Sequence, residues 1–145
     1  MSQIDGKPAM SHTMAAVTSS LPSAQDVPSL DVAWLQALRN DCPTAPGDIV
    51  AELAAIFLED APRKIAVLRA AVTNDNALQA RAAAHAVKGS SATIRALKMA
   101  SLAEAIEKLA GLGNLDQVTT CIDGLEQEFR IVADLLAAQT HIGRG

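Results

Sequence analysis

The strongest constraint on the fold lies near the end of the chain, where apolar residues recur alternately three and four positions apart. The repeating positions are Leu115, Val118, Ile122, Leu125, Phe129, Val132 and Leu136. This spacing places them along one side of an α-helix about six turns long, in the pattern of a helix–helix seam. Because such a stripe must be covered, the sequence predicts a bundle of long helices rather than an isolated one.

Two segments before residue 74 also show apolar residues at helical spacing. Asp48 is placed to cap the first segment, and Pro62 then interrupts the pattern. Because proline is tolerated in the first turn of a helix but not in its interior, we expect the chain to bend and restart around Asp60. The apolar positions on the two sides of this expected break are Ile49, Leu53, Ile56 and Phe57, then Ile65, Leu68 and Val72.

Two further helices are predicted between residues 74 and 114. The first is expected to begin at a capping side chain, either Asn74 or Asp75. Its expected buried face consists of small or apolar residues, namely Ala77, Ala80, Ala84, Val87, Ser91 and Ile94. The second is expected to end at a glycine-containing turn, and its expected interior residues are Met99, Leu102, Ile106 and Leu109.

A short helix is predicted before the bundle, capped by Ser29 or Asp31 and anchored over one end of the core by Trp34. The predicted fold is therefore all-α, an antiparallel up-down four-helix bundle with one short additional N-terminal helix. The composition agrees, since half of the residues are apolar but only 2% are aromatic. We expect a disordered tail over residues 1–28, the bundle over 29–139 and a flexible C-terminal end over 140–145.

Charge and residue content argue against several functional classes. A net charge of −4 argues against nucleic acid as a main partner, because binding to the phosphate backbone relies on positive charge. The first 28 residues contain no uninterrupted apolar segment, so neither a signal peptide nor a membrane anchor is predicted. Cys42 and Cys121 lack metal-ligand spacing and are expected to be free thiols in a reducing cytoplasm. No metal site is predicted, and no role is assigned to His12 or His141.

Residues 84–92 read Ala-His-Ala-Val-Lys-Gly-Ser-Ser-Ala. On a helix, Lys88 and Gly89 lie one turn beyond His85 on the same face. A neutral imidazole is a competent nucleophile toward phosphorus, and Lys88 can neutralise phosphoryl oxygens. Gly89 leaves room for a partner, which gives a reason for a residue that costs about 1 kcal/mol in a helix interior. On these residues alone, a surface histidine without catalytic role is the ordinary alternative.

With these features, the chain resembles the histidine-phosphotransfer (HPt) domain, a helical-bundle module that relays phosphoryl groups between receiver domains in two-component signalling. The resemblance extends from about Ile49 to Leu136. It is carried by several separated segments in the same order, namely residues 57–62, the helix start near residues 74–75, residues 85–92 and residues 125–129.

This resemblance implies roles for individual residues. His85 corresponds to the phosphoacceptor, Lys88 to the phosphate-stabilising lysine and Gly89 to the small residue that gives the receiver access. Glu107 occupies a position that is often Gln or Glu in the family, where the side chain can hold the imidazole by its other nitrogen. A carboxylate paired with Lys108 or with a neighbouring helix is an equally good interpretation of Glu107.

The sequence departs from the family pattern at Arg95-Ala96, where a glycine followed by alanine is usual, so the end of the histidine helix is expected to differ in shape. Arg95 and Lys98 then extend a basic rim begun by Arg81 and Lys88, which would attract an acidic receiver. Charges that merely face water are the alternative. The full set of expected partner-binding residues is Arg81, Ala82, Gly89, Ser90, Ala92, Arg95 and Lys98.

The expected function is a phosphorelay intermediate that accepts a phosphoryl group on His85 from one receiver aspartate and passes it to another. The resemblance implies receiver domains and a hybrid sensor histidine kinase as partners, with Mg²⁺ supplied by the receiver and no cofactor in this chain. Only 60 residues follow His85, and Ala86 stands where a kinase dimerisation domain has an acidic residue, so neither ATP binding nor autophosphorylation is expected. We expect a monomeric, stand-alone cytoplasmic module.

Two alternative functions compete with the relay. A non-catalytic helical adaptor would bind a receiver or kinase without being phosphorylated, but such an adaptor needs neither His85 nor Lys88. A metal-binding bundle would need glutamate and histidine at Glu-x-x-His spacing, which this sequence lacks.

Overall fold

The computed structural model describes residues 27–41 and 48–144, with the side chains of the last helix described to residue 139. Over these residues every regular element is an α-helix, which confirms the predicted fold class. The helices are α1 (Val32–Asp41), α2 (Ile49–Thr73), α3 (Ala77–Thr93), α4 (Leu97–Gly111) and α5 (Leu115–Arg144). None of these helices combines the length and apolar character needed to cross a membrane.

The predicted ends of the domain are only partly within the described residues. Residues 1–26 of the predicted tail lie outside them. The backbone of α5 is helical as far as Arg144, into the segment 140–145 predicted to be flexible. The disorder of the tail and the flexibility of the C-terminal end therefore stay predictions.

Helices α2 to α5 form the antiparallel bundle, with contacts between α2 and α3, α3 and α4, α4 and α5, and α2 and α5. Of the apolar repeat in α5, Val118, Ile122, Leu125, Val132 and Leu136 are completely buried. Phe129 is partly buried, and its ring lies 5.8 Å from that of Phe57 on α2. Many of the other buried positions are alanine, which lets the helix backbones approach closely.

The predicted break at Pro62 is wrong. Helix α2 continues from Ile49 to Thr73 with Pro62 in its interior. The proline ring is exposed, while Phe57, Ala61, Ile65 and neighbouring core residues stay buried in register on both sides of it. Packing of this continuous apolar face therefore outweighs the hydrogen bond that proline removes from the helix.

The predicted start of α3 at Asn74 or Asp75 is also wrong, because the capping residue is Asn76. Its side-chain oxygen accepts a hydrogen bond from the Gln79 amide at 3.0 Å. The amides of residues 74, 75 and 76 donate to carbonyls of the last turn of α2, so this segment finishes one helix before the next begins. Asp75 takes a left-handed conformation within the turn, with φ of 54°.

One residue of the expected interior of α2 points outward. Ile56 is 64% exposed, and the core positions of this part of the helix are Val50, Ala54 and Phe57. Ala54 lies within the buried face. The apolar spacing alone does not decide between a buried face that includes Ala54 and one that includes Ile56.

Helix α1 lies over the end of the bundle where α2 begins. Asp31 caps it by accepting a hydrogen bond from the Trp34 amide at 3.0 Å, and Leu35 is completely buried. Arg39 of α1 forms two hydrogen bonds, of 3.2 and 3.0 Å, to the carboxylate of Asp48, which in turn caps α2. Arg39 also donates to the backbone carbonyl of Gln139, so one guanidinium joins α1, the start of α2 and α5.

Replacing Pro62 by alanine should stabilise the protein. Pro62→Ala restores an amide donor within α2 without changing the buried face, so the free energy of unfolding should rise by roughly 1–3 kcal/mol. Urea denaturation followed by circular dichroism measures the change. Ala66→Ser, an exposed change one turn further along α2, is the control and should alter stability by less than about 0.5 kcal/mol. An unchanged midpoint for Pro62→Ala would show that the proline costs this helix nothing.

Candidate functional site

Helix α3 presents His85 at the edge of its buried face. The face itself consists of Ala80, Ala83, Ala84, Val87 and Ser91. His85 comes directly after Ala84 of this buried face, and its side chain is 67% exposed. The small side chains beneath it bring the backbones of α3 and α4 together, so polar groups on α4 can reach the imidazole.

Glu107 of α4 contacts both His85 and Lys88. One carboxylate oxygen, Oε2, lies 3.1 Å from Nδ1 of His85. The other, Oε1, forms an ion pair with Nζ of Lys88 at 2.9 Å. The alternative pairing with Lys108 does not occur, because Lys108 pairs with Glu104 at 3.2 Å. A single carboxylate therefore holds the imidazole and the neighbouring ammonium.

The charges within this cluster stabilise one another. The Lys88 ammonium is the main cause that lowers the pKa of Glu107, and the hydrogen bond to His85 adds to it, although partial burial acts in the opposite direction. Glu107 in turn raises the pKa of Lys88. Both groups are therefore charged at neutral pH. Because a carboxylate only accepts hydrogen bonds, Nδ1 of a neutral His85 carries the ring proton, and Nε2 keeps its lone pair.

The surface next to His85 is open on the side of Gly89. A Cβ atom built at Gly89 would meet no other atom within 4 Å. The packing of this chain therefore does not require a glycine there. That Gly89 leaves space for a partner outside the chain stays a prediction.

An open groove of about 560 Å³ lies between α3 and α4 beside the cluster. Its lining residues are Arg81, Lys88, Glu104, Glu107, Lys108, Gly111 and Leu112. Lys88 and Lys108 are paired with the two glutamates, whereas Arg81 has no ion pair among the described residues. Arg81 lies along the end of α4, with its Cδ 3.7 Å from the position of a Cβ at Gly111. The groove thus carries one cation in excess.

Ser90 forms contacts within the chain. Its hydroxyl donates to Oδ2 of Asp60 at 2.9 Å and accepts from Nζ of Lys64 at 2.6 Å. Lys64 also forms an ion pair with Asp60. Lys64, and to a lesser extent Ser90, lower the pKa of Asp60. The network connects α2 to α3 one residue after Gly89. The network as a whole is not predictable from the sequence, although the spacing of Asp60 and Lys64 by four residues indicates their ion pair.

Arg95 has a different environment from the one expected. Its φ of 64° is the left-handed conformation that glycine adopts most readily, so the helix end keeps the backbone shape of a glycine-terminated helix. The guanidinium lies 4.9 Å from the centre of the Trp34 ring, in a cation–π contact. Arg95 therefore contacts α1, and it joins neither Arg81 nor Lys88 in the described contacts.

The remaining expected partner-binding residues lie on or near α3. Ala82 and Ala92 are exposed on that helix, as His85 and Gly89 are. Lys98 lies at the start of α4, where its amide donates to the Pro28 carbonyl at 3.0 Å. The structure thus brings His85, Lys88 and Glu107 together, with Arg81, Ala82, Gly89 and Ala92 around them. It places Arg95 and Lys98 at the α1 end of the bundle.

The exposed imidazole, held by a carboxylate and flanked by an ammonium on an all-helical bundle, agrees with the resemblance to helical phosphotransfer modules. The sequence matches the Hpt domain family over residues 52–139, more than half of the chain. The chain therefore belongs to the Hpt domain family. This membership confirms the expected function of a histidine-containing phosphotransfer intermediate in a phosphorelay.

Two solved structures support the same conclusion. Histidine-containing phosphotransfer protein B from Pseudomonas aeruginosa is 27% identical, with a TM-score of 0.70, and the match covers 78% of this chain and 95% of that protein. A histidine-containing phosphotransfer protein from maize is 26% identical, with a TM-score of 0.74, and the match covers 92% of this chain and 96% of that protein. A search of curated proteins found no significant match.

Gly89→Ala should make the protein more stable, because alanine is the better helix former and its methyl group meets no neighbour. The expected gain is about 0.5–1 kcal/mol in the free energy of unfolding, measured by chemical denaturation. Gly124→Ala on α5 is a matched control, since a Cβ there also meets nothing within 4 Å. A loss of stability in Gly89→Ala alone would mean that the glycine serves the fold and not an external partner.

Proposed function

We propose that His85 is the phosphoacceptor of a multistep phosphorelay, which takes a phosphoryl group from the aspartyl phosphate of one receiver domain and donates it to the aspartate of another. The observation that carries this proposal is the hydrogen bond between Nδ1 of His85 and Glu107, which leaves Nε2 as the free nucleophile on an exposed ring. Of the three histidines in the chain, His85 alone lies within the segment that matches the family.

Transfer to His85 forms one bond to phosphorus and breaks another. The lone pair on Nε2 attacks the phosphorus of the aspartyl phosphate, and a nitrogen–phosphorus bond forms. The bond between phosphorus and the aspartyl oxygen breaks, and its electron pair stays on the aspartate of the receiver. The ring keeps its Nδ1 proton and gains a positive charge, which the adjacent Glu107 carboxylate stabilises. Donation to the second receiver is the reverse of this step.

Lys88 and Gly89 have complementary roles in the proposed reaction. The ammonium of Lys88 lies on the same face of α3 as the imidazole, within reach of a phosphoryl group on His85, and it neutralises the charge of that group. Gly89 lets the backbone of the receiver approach closely. The unpaired charge of Arg81 in the adjacent groove favours the approach of a carboxylate-rich surface, such as the active site of a receiver.

The Mg²⁺ ion that assists the reaction belongs to the receiver domain, and this chain supplies no cofactor and binds no ATP. The first receiver obtains its phosphoryl group from a hybrid sensor histidine kinase, so the chain acts after that kinase in the relay. One bundle carries all of the groups named above, so a monomer is sufficient. The cytoplasm, where receivers and kinase domains meet, is the proposed location.

Removing the imidazole should abolish phosphorylation and leave the fold intact. The phosphoryl group of a ³²P-labelled receiver should appear on the wild-type protein and should be absent from His85→Gln, because glutamine has no nucleophilic ring nitrogen. The measurement is acid-labile label after gel separation, with circular dichroism as the check of folding. Equal labelling of His85→Gln would exclude His85 as the acceptor. Binding to the receiver without any label on the wild type would favour the adaptor.

A long side chain at residue 89 should block the receiver sterically. Gly89→Gln is expected to slow transfer from the receiver by tenfold or more, whereas Gly89→Ala should slow it only slightly, because the loss of space grows with side-chain size. Ala105→Gln is the matched control, since Ala105 is exposed on α4 and, two residues from Glu107, does not share the helix face that contacts His85. Transfer rates follow from the decay of labelled receiver over time. A folded Gly89→Gln protein with the wild-type rate would contradict the steric role.

A further inference from the structure

Lys88 is already occupied in the unphosphorylated protein. Its ammonium lies 2.9 Å from Oε1 of Glu107, and the other oxygen of the same carboxylate accepts a hydrogen bond from Nδ1 of His85. A lysine that stabilises a phosphoryl group on Nε2 therefore has to serve two anions. The carboxylate is present throughout the reaction cycle, and the phosphoryl group is present in only part of it.

The two partners of this ion pair differ in their freedom to move. Glu107 is held by His85 on one oxygen and by Lys88 on the other, and its side chain is only 18% exposed. Lys88 has one described partner and a flexible four-carbon stem, and 31% of its side chain is exposed. Lys88 is therefore the partner that can move without breaking the contact between Glu107 and the ring.

The charges favour such an exchange. A phosphoryl group carries nearly two negative charges at neutral pH and offers three acceptor oxygens, whereas the carboxylate carries one charge. A partly exposed ion pair contributes little free energy, so breaking it is not prohibitive. Phosphorylation also places a positive charge on the imidazole ring, which strengthens the bond between the ring and Glu107 as the lysine leaves.

We propose that Glu107 is a positioning residue that holds Lys88 in reserve: the ammonium pairs with Glu107 while His85 is unmodified and moves to the phosphoryl oxygens once Nε2 is phosphorylated. This inference rests on the proposed function of His85. Its consequence is that the phosphorylated state gains Lys88 only by losing the Lys88–Glu107 ion pair. The exchange limits how strongly the phosphoryl group is stabilised, and it keeps the group transferable to a second receiver.

The experiment compares wild type, Lys88→Met, Glu107→Gln and the double variant. Circular dichroism checks that each protein is folded, and each is then phosphorylated with the small donor phosphoramidate. The half-life of phosphohistidine is measured for each protein at one pH. In Glu107→Gln, the amide oxygen still accepts the Nδ1 proton, but no carboxylate competes for Lys88. Lys88→Met should therefore shorten the half-life more in the Glu107→Gln background than in the wild type, by a further factor of about two to five.

Equal effects of Lys88→Met in the two backgrounds, or a smaller effect in Glu107→Gln, would overturn the reserve role. A spectroscopic measurement on the wild type gives an independent test. With ¹³C-labelled glutamate carboxyl groups, phosphorylation should move the Glu107 resonance, assigned by its loss in Glu107→Gln, toward its position in unphosphorylated Lys88→Met. A resonance that keeps its paired position after phosphorylation would mean that Lys88 never leaves Glu107.

The design also separates this inference from the proposed function. If the small donor does not label His85 and the receiver does not transfer to it, both the phosphoacceptor role of His85 and the reserve role of Lys88 are wrong. Normal labelling and normal transfer, with equal effects of Lys88→Met in both backgrounds, would remove the reserve role alone and leave His85 as the acceptor.

Discussion

Close packing of α3 against α4 is the constraint on which the rest of the site depends. Ala80 and Ala84 on α3, and Ala103 and Ala110 on α4, are buried with almost no exposed surface. Larger side chains at these positions would push the helices apart, because protein interiors have no spare volume to absorb them. The short separation is what lets a glutamate on α4 reach a histidine and a lysine on α3 at hydrogen-bond distance.

That packing turns three ordinary polar residues into a coupled group. Glu107 directs the ring proton of His85 to Nδ1 and neutralises the charge of Lys88, and it does both with one carboxylate. The exposed face of α3 stays uncluttered, since Ala82, Gly89 and Ala92 carry small side chains or none. Two sides of α3 therefore contribute differently to the site. On the side that faces α4, Glu107 contacts the imidazole and the ammonium, and on the exposed side the small residues leave room for a partner.

At the end of α3, Arg95 takes a backbone conformation that is more usual for glycine. Arg95 takes the left-handed conformation at the end of α3 at a cost on the order of 1–2 kcal/mol, which a glycine would avoid. Its carbonyl accepts a hydrogen bond from the amide of Asp31 at 3.0 Å, and its guanidinium stacks on Trp34. These contacts offset the strain and hold α1 over the core, so Arg95 serves the fold at this helix end.

The sequence by itself determined the fold class and the common helix face of His85, Lys88 and Gly89, because helical periodicity and spacing by three and four residues are local properties that the chain displays directly. The acceptor role of His85 was indicated by the resemblance to the HPt domain and stays a proposal. The resemblance also indicated Glu107, but left open whether that carboxylate pairs with His85 or with Lys108. The tertiary structure decided this, as it decided the uninterrupted helix through Pro62, the cap at Asn76, the outward direction of Ile56 and the stacking of Arg95 on Trp34. Each of these depends on which helix lies opposite and how closely it approaches, and no local pattern contains that information.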